Sequence, residues 1–467
     1  MSEPTTPEQA TPEPSSPGLT SPGPTVPEPA VPEAAAPAPA APAAPAAPAG
    51  PAAPAALPEP LRTALADVTE WQLPLYEDLH SHPELSMREE RTRTLLAERL
   101  EVLGYAVQEF GGGVVGVLEN GPGRVVLHRA DIDGLPVEEA SGLPYASTDR
   151  QADADGTEHP TMHACGHDTH MVTALGAAAV LAAHRELWTG THIALFQPGE
   201  EIAAGARAMV EDGLVEKIPA PDVCLGQHVM PSPVSGHVAL TEGPAMSSAV
   251  SMRVVVHGSG SHGSMPHLSV DPIVLASAIV TRLQTLVARE IAPDDFGVVT
   301  VGSLHAGTSA NVIPDRATLQ LNFRAYDEAV LEQLVDGAQR IIGAECEAAR
   351  SPKEPEIELF NRFPLTDNDP AVTARLRAAL VAQLGEERVE QMPPSTGSED
   401  FSIIPDAFGA PYCYWIFGGF AEGRETYPNH SPFFTPDPQP TLATGTEAAL
   451  TASLAMLTAD GDTGGER

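Results

Sequence analysis

Lysine is almost missing from this chain. Lys217 and Lys353 are the only two in 467 residues, and with the arginines they give 25 basic side chains against 63 acidic ones. A formal net charge of -38 repels phosphate backbones and anionic lipid, so neither nucleic acid nor a membrane surface is an expected partner. Cysteine is also sparse. Cys165, Cys224, Cys346 and Cys413 are too few and too far apart for a disulfide framework, which fits a reducing compartment. No run approaches the roughly 20 apolar residues of a membrane span. The N-terminus, Met-Ser-Glu, has neither the basic stretch nor the apolar segment of a secretory signal, so the cytoplasm is the expected location.

What is present falls into four stretches. Residues 1–58 are almost entirely Pro, Ala, Glu, Thr and Ser without a single Lys or Arg, a composition that cannot bury an apolar face and is expected to form a disordered tail. Helical spacing then covers Leu61 to Leu79, with a break expected at Pro74, and Arg88 to Leu103, stopped by Gly104. Strands are expected at Val114–Leu118 and Val125–Ala130, separated by an Asn-Gly-Pro-Gly turn, and again at His192–Phe196 and Val223–Val229, with helices at Asp168–His184 and Ala203–Asp212 between them. This alternation predicts an α/β catalytic domain, 59–245. From Met246 the pattern changes to half-exposed strands and two long amphipathic helices, Asp271–Glu290 and Glu328–Ile342, an inserted α+β domain over 246–362. Helix 370–384, a strand at Tyr412–Phe417 and a final helix from Thr441 return to the first pattern, making 363–467 the second part of the catalytic domain.

Several short segments carry chemistry. Met-His-Ala-Cys165-Gly-His167-Asp-Thr-His170 offers a thiolate and an imidazole, favoured ligands of zinc-like ions, and the intervening Gly lets both converge from one turn. Taken alone, it could equally be a buried Cys beside a surface His. Asp168 and His170 suit a helix start and an outer layer of hydrogen bonds better than direct ligation. Gln-Pro-Gly-Glu200-Glu201 leaves a strand end with two adjacent carboxylates pointing different ways, one free to bind a metal and the other to act as a base. His228 ends another apolar run, His430 sits in the turn-rich Pro-Asn-His-Ser-Pro, and Asp131 and Asp133 close a third strand. Each of these has an ordinary structural alternative when read singly.

Read together with Leu-His-Ser-His-Pro-Glu-Leu-Ser, Arg-Ala-Asp-Ile-Asp-Gly-Leu-Pro, Ser-His-Gly-Ser-Met-Pro-His, Asn-Val-Ile-Pro-Asp and Gly-Ser-Glu-Asp-Phe, the series resembles the metallopeptidase-like aminoacylase family, in its amidohydrolase branch of hippurate, N-acyl-amino-acid and auxin-conjugate hydrolases. The resemblance runs from about Leu79 to the end. It implies a mixed-sheet metallohydrolase domain with an inserted dimerisation domain. It further implies that Cys165, His167, Glu201, His228 and His430 hold two divalent metal ions and that Glu200 is the general base. Asp131 would orient a ligand, and His262 would stabilise the oxyanion in the site of a neighbouring subunit. Asn311 and Arg324 would hold the substrate, Arg324 through its carboxylate. Gly199, where many relatives have Ala, and Ile-Ala-Ala-Gly after Glu201, where relatives are glycine-rich, depart from the pattern beside the site.

The chemistry so implied is hydrolysis of the amide of an N-acyl amino acid. A metal-activated water attacks, Glu200 carries its proton to the leaving amine, and Arg324 offers a planar fork to a carboxylate. The thiolate favours zinc, while carboxylates and imidazoles also accept manganese, cobalt or nickel. A homodimer with a small-molecule substrate is the expected assembly. A non-catalytic metal-binding scaffold would need the base to be lost, and Glu200 is present. The tail as a proline-rich ligand for aromatic grooves is disfavoured by its lack of flanking Arg.

Overall fold

The computed structural model describes residues 56–153 and 155–458. The tail expected over 1–58 lies outside them except for Ala56, Leu57 and Pro58. Leu57 is already buried, and its N–H donates to Gln383 Oε1 at 2.7 Å, so the chain is tied down just before the first helix, α1 (Glu59–Ser81). That helix starts with a proline in its first turn, where the missing N–H costs nothing. It runs straight through Pro74, contrary to the expected break. The ring costs one intrahelical donor, but Val68, Leu75, Tyr76 and Leu79 are all buried around it, and tertiary packing outweighs a local preference.

The chain continues through α2 (Glu90–Val102), β1 (Ala106–Phe110), β2 (Gly113–Asn120), β3 (Val125–Asp131), α3 (His167–Ala183), β4 (Gly190–Gln197), β5 (Val223–Val234) and β6 (Val238–Leu240). Next come β7 (Ser248–His257), β8 (Ser261–His262), α4 (Pro272–Arg289), β9 (Gly297–Ala306), β10 (Val312–Ile313), β11 (Arg316–Ala325), α5 (Glu328–Ala348) and β12 (Glu356–Phe363). Last are α6 (Pro370–Leu384), β13 (Val389–Gln391), β14 (Tyr412–Phe420) and α7 (Pro438–Leu457).

Eight strands form one mixed sheet in the order β1-β2-β4-β3-β5-β14-β6-β13. The two strands around the Asn-Gly-Pro-Gly turn are not neighbours. β4 lies between them, antiparallel to β2 and parallel to β3. Its eight residues are all buried, as expected of a strand covered on both faces. α1, α3 and α7 pack together on one face, and α3 is buried almost all round, a central helix rather than a surface one.

Four strands form a second sheet, β9-β11-β7-β12, all antiparallel. On β7, Val250, Met252, Val254 and Val256 are buried and alternate with exposed or half-buried residues, so one face is covered. α4 and α5 cover it and contribute Leu275, Ile279, Leu283, Leu286, Leu331 and Leu334 to a core separate from that of the large sheet. Both helices are capped by an aspartate side chain, Asp271 and Asp327, accepting first-turn N–H groups. Among the described residues, α4 is the one helix long and apolar enough to pass for a membrane span. Its buried stripe of Leu275, Ile279, Leu283 and Leu286 packs inside this core, where truncating a leucine to alanine costs about 2–5 kcal/mol. β8 and β10 pair as a small ribbon beside this sheet.

Candidate active site

The C-terminal ends of the central parallel strands of the large sheet converge, the place where open α/β sheets bind ligands. Asp131 ends β3 and the Glu200–Glu201 turn follows β4. His228 lies on β5, Cys165 and His167 stand at the entry to α3, and His430 comes from the loop after β14. Gly166, in left-handed geometry with φ 83°, makes the turn between Cys165 and His167, and a Cβ there would meet Val229 at 2.4 Å. Only Gly allows the two side chains to converge.

The sulfur of Cys165 and one nitrogen each of His167 and His228 lie within 4.8 Å of one another. The same sulfur forms a second such group with Glu201 and His430. Individual separations are 3.4 Å for Cys165 Sγ to His228 Nε2, 3.3 Å for His430 Nε2 to Glu201 Oε2 and 3.8 Å for His167 Nε2 to Glu201 Oε1. Two ligands of one tetrahedral ion at ordinary bond lengths stand about 3.4–3.6 Å apart, so these spacings fit. Two of the atoms, His167 Nε2 and Glu201 Oε1, are buried without a hydrogen-bond partner among the described residues, a costly state that a cation relieves.

The opposite edges of the His167 and His228 imidazoles are already committed. His167 Nδ1 bonds the carbonyl of Asp133 at 2.9 Å and stands 3.2 Å from its carboxylate, while His228 Nδ1 donates to the Val229 carbonyl at 2.7 Å. These bonds fix the tautomers that leave Nε2 free. Asp133 also accepts from the Glu201 N–H at 3.1 Å and the Ser86 hydroxyl at 2.7 Å, so one carboxylate orients two of the clustered side chains. His170 is not available as a ligand. Its Nε2 accepts the Val229 N–H at 2.8 Å and its Nδ1 bonds Asp131 Oδ1 at 2.5 Å. Asp168 turns away to His80, at 2.6 Å. Burial opposes charge on His167, yet Asp131 and Asp133 outweigh it and hold the ring's pKa well above the usual histidine value.

Glu200 is buried, and its pKa is pushed well above the ordinary carboxylate value by desolvation first and then by Glu399, Glu201 and Asp400. Glu399 is held by Arg129 Nη2 at 2.7 Å and the Tyr414 hydroxyl at 2.5 Å. The same guanidinium reaches Asp131 at 2.7 Å, so one buried Arg129 ties the end of β3 to the Glu399–Asp400 loop. Gly199, φ 55°, carries the chain into the Glu200 turn. A Cβ there would sit 2.5 Å from Met87 Sδ, so the side chain of Met87 fills the space that alanine would use. Glu89, raised to about 8 by burial and by Asp133, accepts the Gly199 N–H at 2.8 Å and pins the same turn.

Facing this cluster across a cleft of about 370 Å³ is the second sheet, with Arg324, Asn322, Ser251, Asn361 and Phe363 on its wall. Arg324 Nε donates to Asn322 Oδ1 at 3.0 Å, and Nη1 donates to the Thr396 carbonyl at 2.7 Å and to Ser398 Oγ at 3.1 Å. His262 and Asn311 are not in this cleft. They are exposed neighbours on the β8–β10 ribbon, where the Gly263 N–H donates to the Asn311 carbonyl at 2.8 Å. The sequence reading left Asp133, Arg129, Glu399 and Asn361 without roles. The first three lie inside quoted motifs, but an isolated carboxylate or guanidinium gives no sign of its partners. Asn361 has no motif signal at all.

A buried carboxylate base beside clustered thiol, imidazole and carboxylate groups, at the strand ends of an α/β fold, belongs to a metal-dependent enzyme that hydrolyses amides. The sequence profile of Peptidase family M20/M25/M40 matches residues 127–453, and the chain belongs to that family. It is 35% identical over 388 residues to thermostable carboxypeptidase 2 of Saccharolobus solfataricus, covering 82% of this chain and 94% of that one. It is 36% identical over 371 residues to N-acetylcysteine deacetylase of Bacillus subtilis, covering 77% and 90%. Among solved structures, a dinuclear metal-binding peptidase of the M20 family from Bacillus subtilis superposes with a TM-score of 0.66 at 28% identity, over 84% of this chain and 99% of that one.

Proposed function

We propose that this enzyme hydrolyses the amide bond of N-acyl amino acids, releasing a carboxylate and the free amino acid. The observation that carries this reading is the single cleft with the Glu200–Glu201 and Cys165 cluster on one wall and a fixed Arg324 on the other. Cys165, His167, Glu201, His228 and His430 would hold two divalent ions, zinc by the thiolate or manganese by the carboxylate and imidazoles, with cobalt or nickel acceptable to the same set. Bound there, the ions supply a water of lowered pKa and a polarised carbonyl. Glu200 takes the water's proton and returns it to the departing nitrogen, since an amine anion is a poor leaving group. Its burial, with Glu399 and Asp400 nearby, supports the role, because both raise the carboxylate's affinity for the proton it must take from the water.

Arg324 receives the substrate's free carboxylate, and Asp131, through His170, keeps the cluster aligned. The second sheet with α4 and α5, residues 246–362, acts as the inserted lid and dimerisation domain between catalytic segments 59–245 and 363–467. His262 then reaches the site of a second copy to stabilise the oxyanion, and Asn311 beside it holds that copy's substrate. Their exposure away from this chain's own cleft supports this, as does β9, which among the described residues has a strand neighbour on one side only and leaves an edge for a second copy. Four buried, unpaired cysteines favour the cytoplasm.

The test is Arg324→Ala assayed on an N-acyl amino acid and on its carboxamide. Loss of activity on the acid with the amide spared supports the assignment. Equal losses on both make Arg324 a structural residue and remove the carboxylate from the reading.

A further inference from the structure

One residue of the cleft wall has a backbone conformation that calls for glycine. Between the pairs Ser251↔Phe360 and Ala249↔Phe363, β12 advances from 360 to 363 while β7 moves only from 251 to 249. The extra residue is a β-bulge, and Asn361 within it has φ 47°. Bulge positions in this left-handed region usually carry Gly, and Asn is the side-chain-bearing residue that tolerates it best. The next residue anchors the bulge from behind, since Arg362 Nη2 donates to Glu328 Oε2 at 3.1 Å and also bonds Glu332 on α5. The strained residue is therefore held in place, and its exposed side chain lines the same cleft as Glu200 and Arg324.

Arg324 leaves that carboxamide something to do. With Nε on Asn322 and Nη1 on Thr396 and Ser398, its Nη2 is the nitrogen without a protein acceptor among the described residues. A carboxylate gripped by both oxygens needs two guanidinium nitrogens side by side, and here Nε and Nη1 are already spent on Asn322, Thr396 and Ser398, so Nη2 alone is left to meet it. Asn322 is also committed, since its amide donates to Ser251 Oγ at 3.3 Å. Asn361 has no hydrogen-bond partner among the described residues. It stands on the same wall two strands from Arg324, about 10 Å between strand axes, a gap that one long and one short side chain close around a carboxylate.

We propose that Asn361 is a specificity-determining residue whose carboxamide N–H donates to the second oxygen of the substrate's free carboxylate, the first being held by Arg324. The inference rests on the reading of this cleft as a site for N-acyl amino acids. It assigns the preference for a free acid to a pair of residues on β11 and the β12 bulge.

The experiment is Asn361→Gly, which suits the left-handed backbone and removes only the side chain. N-benzoylglycine and N-benzoylglycinamide are the paired substrates. The variant should keep the wild-type unfolding temperature and lose about tenfold in kcat/KM on the acid, chiefly through KM, the worth of one hydrogen bond to a charged group. On the amide it should change less than about twofold, there being no charged oxygen to lose. Asn361→Asp should lose more than Asn361→Gly on the acid, because it sets an anion against an anion. Unchanged kinetics on both substrates, or equal losses on both, overturn the inference while leaving Arg324 untouched. If the wild-type enzyme itself treats acid and amide alike, the carboxylate reading fails and this inference falls with it.

Discussion

His167 Nε2 and Glu201 Oε1 face each other across 3.8 Å, both buried and both without a hydrogen-bond partner among the described residues. A cation between such groups turns two desolvated polar atoms into ligands, so metal binding is coupled to stability. Zinc or manganese at about 1,000 times its dissociation constant should stabilise the wild-type protein by roughly 4 kcal/mol, read as a rise in unfolding temperature. Cys165→Ser weakens both clusters at once, because the sulfur belongs to each. It should lose most of that rise. An equal rise in both proteins would remove Cys165 from the ligand set.

Glu200→Gln should leave metal content and unfolding temperature near wild type. It should lower kcat by about 10²–10⁴-fold, the usual worth of a positioned base. A fall of less than about threefold, far below that range, assigns the proton transfer elsewhere.

The exposed ribbon carrying His262 predicts complementation between subunits. His262→Ala and Glu200→Gln should each be nearly inactive alone. Co-assembled, they leave one site with both defects and one with neither, so mixed dimers should recover up to about half the wild-type activity by two-fold symmetry. Mixed dimers confirmed by mass and still inactive would rule out sharing.

Two core histidines predict acid sensitivity. His128 and His192 are buried in the large sheet, where desolvation lowers them to about 4 and about 3. Their folded values lie below the unfolded value of about 6.5, so the unfolded chain takes up protons first and stability falls as pH drops below 6.5. Other groups titrate in the same range, so the informative quantity is a difference between proteins. Between pH 7 and pH 5, wild type should lose about 2 kcal/mol more than His128→Phe in urea unfolding. Parallel pH profiles would show that burial does not lower the pKa of His128 below its unfolded value.

The candidate site was legible only as a series, because Cys165-Gly-His167 at a helix entry and Glu200-Glu201 after a strand each have an ordinary alternative when read singly. The α/β alternation was legible because β4 and α3 are apolar enough to announce themselves. β12 was not, because the Asn361 bulge and a row of exposed residues erase its period of two. Pro74 misled, since the packing that carries α1 past it comes from residues far away in sequence. The Arg129 link between Asp131 and Glu399 spans 270 residues and has no local signature. The departure at Gly199 has its physical reason in Met87, more than a hundred positions earlier.

The most direct measurement is metal analysis of the purified protein coupled to hydrolysis of an N-acyl amino acid, before and after exhaustive chelation. The expected result is two ions per chain and full hydrolysis, no hydrolysis once both ions are removed, and recovery when zinc or manganese is returned. Undiminished hydrolysis by protein that carries no measurable metal would contradict it.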